Sequence, residues 1–108
     1  IDAAACAQAL AQKLGTVVVL SGAEDLVTDG TALHTVSGGS DLMRRVTGAG
    51  CMLTVLCGAF AAVQPQAPLQ AAVQAAEFWK ACAAAAEPQV HGPASFRVAL
   101  LDDAAQIV

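Results

Sequence analysis

The sequence has few bulky side chains and few charges. Its 108 residues include three phenylalanines and one tryptophan, and 26 alanines account for much of the 56% apolar fraction. A small domain buries a small share of its surface, so we expect well-packed helices around a thin core. Arg44 and Arg45 are the only adjacent basic residues, and the net charge is −4. Nucleic-acid-binding proteins present a basic face, so this composition argues against nucleic-acid binding.

Long apolar runs are also missing, and the first residues do not predict a secretion signal. The longest uncharged apolar run, residues 51–63, is shorter than the roughly 20 residues that a membrane-spanning helix needs. The first residues carry Asp2 and Lys13 and lack the basic leader of a signal peptide. We therefore expect a cytoplasmic protein that makes no membrane contact.

The cysteines do not have the spacing of metal ligands. None of the four forms C-x-x-C, and no histidine stands at ligand spacing from a cysteine pair. The sequence therefore predicts no zinc site, and reduced thiols are the default without secretion signals. Cys6, Cys57 and Cys82 lie among alanines and other apolar residues, and we expect them to be small buried hydrophobic residues.

The first part of the chain predicts a helix, a strand and a hairpin. Residues 2–14 are alanine-rich and stop at Gly15, as helices commonly do. Residues 16–20 are apolar and β-branched, which predicts a central strand covered on both faces. After a polar turn at residues 21–25, the Asp-Gly pair at residues 29–30 predicts a β-hairpin.

The second part of the chain predicts three helices. Residues 37–41 are a Ser- and Gly-rich loop, and residues 51–63 are apolar almost all round, which predicts a buried helix. A further helix is expected over about residues 67–86, and a last one from Gly92-Pro93 onward.

This order of elements is typical of an α/β layered fold. A parallel sheet, however, needs more strands than one strand and a hairpin provide. We therefore interpret residues 1–108 as the second part of a single domain whose first part is absent. A small helical domain with one hairpin is the alternative.

The motif that carries chemistry is Gly48-Ala49-Gly50-Cys51, directly before the predicted buried helix. The first N–H groups of a helix lack internal acceptors, and the helix dipole adds partial positive charge there. Such a loop suits phosphate oxygens and could stabilise charge on a transferring phosphoryl group. The same field favours the thiolate form of Cys51, which could accept a proton from an attacking alcohol.

These residues also carry a family resemblance. The segment RVTGAGC resembles the phosphoryl-transfer loop of ribokinase-like kinases, in which T-G-A-G precedes a catalytic aspartate. Cysteine at that place resembles the hydroxyethylthiazole kinases of this superfamily. The segments VVVLSGAEDLVTDG, AAEFWKACAAAA and HGPASFRVALLD resemble the same family, so the resemblance extends over almost the whole chain.

The resemblance implies a ribokinase-like fold and ATP-dependent phosphorylation of the alcohol of 4-methyl-5-(2-hydroxyethyl)thiazole, with Mg²⁺, in thiamine biosynthesis or salvage. It implies that Cys51 is the catalytic base, that Gly48 contacts the thiazole, and that Ala49 and Gly50 complete the anion hole. Ser21 stands where the family has a threonine that contacts ATP. The family forms homotrimers with active sites between subunits.

The same resemblance implies that residues 1–108 are only the C-terminal part of a kinase domain. Family members are more than twice as long, and their first part supplies an arginine that grips ATP, much of the thiazole pocket and the acidic residues near magnesium. We therefore expect this chain to be inactive alone.

Several alternatives remain open from the sequence. The chain could act on another small alcohol of pyrimidine or pyridoxal type, or be a non-catalytic binding module. Cys51 could be an ordinary thiol at a helix start, and Ser21 a mere turn residue or cap. We expect Arg44 and Arg45 to be solvated or to face another subunit, and Phe78 and Trp79 to be core or subunit contacts.

Overall fold

The structure, a computed structural model, describes residues 2–107 and combines helices with one small sheet. In chain order its main elements are α1 (Ala3–Leu14), β1 (Val18–Leu20), β2 (Asp25–Thr28), β3 (Leu33–Val36), α2 (Ala49–Val63), α3 (Pro68–Ala86) and α4 (Pro93–Ile107). A short 3-10 helix over Asp41–Arg45 lies between β3 and α2, and another over Glu87–Gln89 lies between α3 and α4. The α/β class predicted from the sequence is confirmed. No helix in the described part of the chain is long and apolar enough to cross a membrane.

Helix α1 begins and ends where the sequence predicts. The Asp2 carboxylate accepts a hydrogen bond from the Ala5 N–H at 3.2 Å, which satisfies one of the free donors at the helix start. Gly15 ends the helix with φ +63°, in the left-handed region that glycine enters without steric cost.

The predicted hairpin is also present. Strands β2 and β3 pair antiparallel, with Val27 opposite His34. In the turn, one oxygen of the Asp29 carboxylate accepts hydrogen bonds from the N–H groups of Thr31 and Ala32, both at 2.9 Å. These bonds fix the chain reversal, and the backbone hydrogen bonds to Asp29 lower the pKa of its carboxyl.

Within residues 2–107 the prediction of a central, fully covered first strand is wrong. The sheet order is β1-β2-β3, and all pairs are antiparallel. Helix α1 contacts β1 and β2, whereas α3 contacts β2 and β3. As a result Val27 and Thr28 of β2, which point to opposite faces, have no exposed area, while Leu20 of β1 is 43% exposed. Within residues 2–107 the outer edge of β1 has no partner strand.

Helix α3 is the element around which the core is built. It contacts α2, α4 and the sheet. One buried cluster joins it to the sheet and consists of Val27, Val36, Ala72 and Ala76. A second joins it to α2 and α4 and consists of Val46, Ala49, Leu53, Trp79, Cys82, Ala83, Ala86, Phe96 and Leu100.

The prediction that the helix after the glycine motif is buried is wrong as well. Helix α2 begins at Ala49, two residues earlier than predicted, and only Ala49 and Leu53 are buried along it. Val55 is 72% exposed and Val63 is 77% exposed. The reason is that α3 covers one face of α2. The side chains of α2 are apolar on all sides of the helix, but they are packed on one side only.

Candidate functional site

A cavity of about 590 Å³ opens between the sheet, the start of α2 and α3. The turn after β1, the glycine loop after β3 and the first residues of α2 form its walls. Its lining residues are Ser21, Gly22, Ala23, Asp25, Gly38, Gly39, Ser40, Asp41, Met43, Arg44, Ala49, Gly50, Leu53, Trp79, Lys80 and Glu87. The cavity therefore brings together Ser21 and the Ala49-Gly50 segment, which are far apart in the sequence.

The start of α2 has the geometry of an anion hole. Gly48 precedes the helix with φ +92°, a conformation that residues with side chains rarely adopt. The Ala49 N–H donates to the Val46 carbonyl at 3.3 Å. The N–H groups of Gly50 and Cys51 have no acceptor within residues 2–107, and the positive end of the helix dipole lies at the same place.

The Trp79 side chain anchors this end of α2. Its indole N–H donates to the Ala49 carbonyl at 3.1 Å, and the ring is buried. A buried indole N–H needs a hydrogen-bond acceptor, and a bond to a carbonyl also fixes the direction in which the ring lies relative to that carbonyl. Helix α3 therefore fixes the first turn of α2 beside the cavity. The sequence predicts a core or subunit contact for Trp79, and its burial shows that it is a core residue; no local pattern indicates its hydrogen bond to Ala49.

The predicted site residues do not all lie on the cavity surface. Ser21, Ala49 and Gly50 line it, whereas Gly48 and Cys51 do not. Cys51 is exposed in the first turn of α2, and Gly48 is half-buried. The Cys51 thiol is therefore accessible on the surface of the described residues. It lies next to the N–H groups of Gly50 and Cys51, which have no acceptor there.

The other cysteines divide by burial. Cys82 is buried and Cys57 is half-buried, but Cys6 is exposed on α1, so the prediction of a buried Cys6 is wrong. Burial raises the pKa of the Cys57 thiol, and the charge of Asp25 raises it further. Burial likewise raises the pKa of Cys82. Both thiols are therefore poor candidates for proton transfer.

Sequence reasoning missed a charged group in the wall of the cavity. The Lys80 ammonium donates to the Ala23 carbonyl at 3.0 Å and lies 3.8 Å from the Asp25 carboxylate. A spacing of 55 residues gives no local pattern that could have shown this pair. Arg44 also lines the cavity, while its neighbour Arg45 does not.

The described residues offer no evident metal site. Within residues 2–107 no group of three or more histidine, cysteine, aspartate or glutamate side chains is placed to hold a metal ion.

Comparison with known proteins identifies the family of the chain. A sequence model of the Hydroxyethylthiazole kinase family matches residues 1–108. The chain belongs to this family. Among the family's solved structures, hydroxyethylthiazole kinase from Pyrococcus horikoshii OT3 superimposes with a TM-score of 0.89 at 37% sequence identity, over 95% of this chain and 40% of that one. The predicted ribokinase-like fold is thereby confirmed.

Curated members of the family are similar in sequence along most of the chain. A hydroxyethylthiazole kinase from Nitratidesulfovibrio vulgaris strain DP4 is 53% identical over 89% of this chain and 36% of its own length. One from Gemmatimonas aurantiaca is 50% identical over 97% of this chain and 37% of its own length. The chain thus spans little more than a third of these relatives.

Proposed function

We propose that residues 1–108 form the C-terminal part of a kinase domain that transfers a phosphoryl group from ATP to the hydroxyl of 4-methyl-5-(2-hydroxyethyl)thiazole. The observation that carries the proposal is the pair of free N–H groups, on Gly50 and Cys51, beside the cavity that Ser21 lines. Membership of the Hydroxyethylthiazole kinase family supports this substrate.

In this proposal the anion hole acts on the phosphoryl group. The N–H groups of Gly50 and Cys51 donate to its oxygens, and the start of α2 adds partial positive charge. These fixed dipoles stabilise the charge that develops during transfer, without reorganisation of solvent. The cavity volume of about 590 Å³ lies within the range of small-molecule sites.

Cys51 is the proposed general base. Its thiolate takes the proton from the substrate hydroxyl while the alcohol oxygen forms a bond to the terminal phosphorus and the bond to ADP breaks. Exposure of Cys51 leaves room for the substrate on the outer side of the first turn of α2. Gly48, directly before the helix, is proposed to contact the thiazole, and Ser21 to contact ATP across the cavity.

The rest of the machinery is proposed to lie outside these residues. The ATP-gripping arginine, most of the thiazole pocket and the acidic residues that hold Mg²⁺ would come from a preceding N-terminal part. We further propose a cytoplasmic homotrimer, with the active site completed between subunits and a role in thiamine biosynthesis or salvage. Exposed Val55 and Val63 on α2 are apolar surface that such additional parts could cover.

The test is an ATP-dependent phosphorylation assay with the complete polypeptide that carries these residues. We expect turnover of hydroxyethylthiazole and a loss of about 10²–10⁴-fold in kcat for Cys51→Ala, the range of a general base. Cys51→Asp is expected to keep substantial activity, because aspartate can also accept the proton. Cys6→Ala, which removes another exposed thiol, is the matched control and should leave kcat unchanged.

Two outcomes would contradict the proposal. Unchanged turnover in Cys51→Ala would remove the thiol from the mechanism. Phosphorylation of a pyrimidine or pyridoxal alcohol, without turnover of the thiazole, would assign the site to another substrate class.

A further inference from the structure

Lys80 and Asp25 form a buried charged pair between α3 and the start of β2. Lys80 is 7% exposed and Asp25 is 3% exposed. The Lys80 ammonium lies 3.8 Å from the Asp25 carboxylate and donates to the carbonyls of Gly22 and Ala23 at 3.3 and 3.0 Å. An ammonium has three protons, and three acceptors surround this one. Two of these protons therefore bond the turn, while the Asp25 carboxylate pairs with the ammonium at a distance too long for a hydrogen bond.

The same pair holds Gly22 from both sides. The Gly22 N–H donates to the second oxygen of the Asp25 carboxylate at 3.0 Å, while the Gly22 carbonyl accepts from Lys80. Residues 21–24 lie between β1 and β2 and have no partner in the sheet. The shape of this turn therefore depends on a side chain 58 positions away.

Stability alone is a weak explanation for such a pair. Removing two charges from water is costly, and a buried ion pair is often no more stable than apolar residues of similar size. The pair does, however, fix one arrangement of the groups that it bonds. Here those groups are the backbone of the turn that begins with Ser21, in the wall of the cavity.

We propose that Lys80, paired with Asp25, is a positioning residue that holds the Ser21–Ala23 turn in the shape that binds ATP. The inference rests on the proposed function, because it takes the cavity as the nucleotide site. It goes beyond that function by giving a residue of α3, which acts through the backbone of the turn, control over nucleotide affinity.

The first test is Lys80→Met in the complete polypeptide. Methionine keeps much of the stem that packs against Gly39 but lacks the ammonium. We expect KM for ATP to rise about tenfold while kcat and KM for the thiazole alcohol change less than about twofold, which is the signature of lost nucleotide binding alone. The matched control is Lys13→Met on the exposed end of α1, which should change none of these three constants.

A second variant separates positioning from folding. Lys80→Met leaves the Asp25 carboxylate buried without its partner, which lowers stability. Asp25→Asn combined with Lys80→Met removes both charges, so we expect its Tm to recover relative to Lys80→Met. The turn is still not held by the ammonium, so KM for ATP should stay raised. Recovery of both Tm and KM in the double variant would mean that the pair serves stability only, and would overturn the inference.

Direct binding distinguishes this inference from the proposed function. Calorimetric titration with adenylyl imidodiphosphate measures nucleotide affinity without turnover. If the unmodified polypeptide binds this nucleotide but phosphorylates no thiazole alcohol, the proposed substrate fails. The inference then stands if Lys80→Met weakens binding about tenfold, a difference easily resolved in Kd, and falls if Kd is unchanged. Absence of nucleotide binding in the unmodified polypeptide overturns both proposals.

Discussion

At the candidate site, the lack of a side chain on Gly50 leaves space that a ligand could occupy. A Cβ added at Gly50 would meet no atom within 4 Å, so the structure itself does not require glycine there. The free space lies beside the N–H groups proposed to bind phosphate. At the residue scale, then, packing within residues 2–107 does not account for glycine at this position, whereas the proposed phosphate would.

Substitution of Gly50 should therefore separate function from stability. We expect Gly50→Ala to fold normally and to gain up to about 1 kcal/mol, because glycine is unfavourable inside a helix. Gly50→Val should fill the phosphate space and lower kcat/KM for ATP by at least about tenfold, as a few lost phosphate hydrogen bonds would. Steady-state kinetics and thermal unfolding measure the two effects.

The control for this prediction lies two turns further along the same helix. Gly58 is also exposed, and a Cβ there also meets no atom within 4 Å. Gly58→Ala should raise stability in the same way without affecting kcat/KM. Equal kinetics for Gly50→Val and the unmodified protein would show that no phosphate lies beside Gly50.

At the scale of single elements, the β2–β3 hairpin depends on the ionised form of Asp29. Two backbone N–H groups bond its carboxylate, and they lower its pKa from the ordinary value of 3.8. A lowered folded pKa means that the stabilisation is complete above the unfolded pKa and is lost as the pH falls through the folded value. The hairpin should therefore loosen only in strong acid.

Asp29→Ala tests this expectation. Above pH 3.8 the variant should be less stable than the unmodified protein, and the difference should shrink as the pH falls further. Urea unfolding over a series of pH values measures it. Asp102→Ala, which removes an exposed carboxylate on α4, is the control. A difference that stays constant down to the lowest pH would show that the charge of Asp29 contributes nothing.

The elements also show what the sequence can and cannot predict. Asp2 and Gly15 determine the ends of α1 through bonds within a few residues, and Asp29-Gly30 determines the hairpin in the same way, so both predictions are confirmed. The exposure of Cys6 and of α2 was mispredicted, because burial depends on which neighbours are present. The Lys80–Asp25 pair and the Trp79–Ala49 hydrogen bond cross 55 and 30 positions, and no local pattern encodes them.

At the scale of the whole molecule, the described part of the chain is a thin slab. Its extents are 42 × 34 × 18 Å, and the β1 edge and the outer face of α2 lie open on it. The candidate site shares this openness, since Cys51 faces outward. The shape agrees with the proposal that a further part of the domain completes the site.

Residues 1–108 produced alone are therefore expected to be inactive. Without the proposed N-terminal part the cavity lacks most of its substrate contacts, so no phosphorylation of hydroxyethylthiazole should exceed the rate without protein. The complete polypeptide, assayed in parallel, should phosphorylate hydroxyethylthiazole. Activity of the 108-residue chain equal to that of the complete polypeptide would show that these residues suffice.

Trp79 and Lys80 are consecutive residues of α3, yet one holds the start of α2 and the other holds the turn after β1. Successive residues of a helix differ by about 100° in direction, so a deletion of one residue between Pro68 and Trp79 would turn both anchors away from their partners. The two cavity walls that these residues hold would be displaced, although every residue that lines the cavity remained unchanged. Among related sequences that remain functional, insertions and deletions should therefore lie in the loops. Helix α3 should keep a fixed number of residues before Trp79.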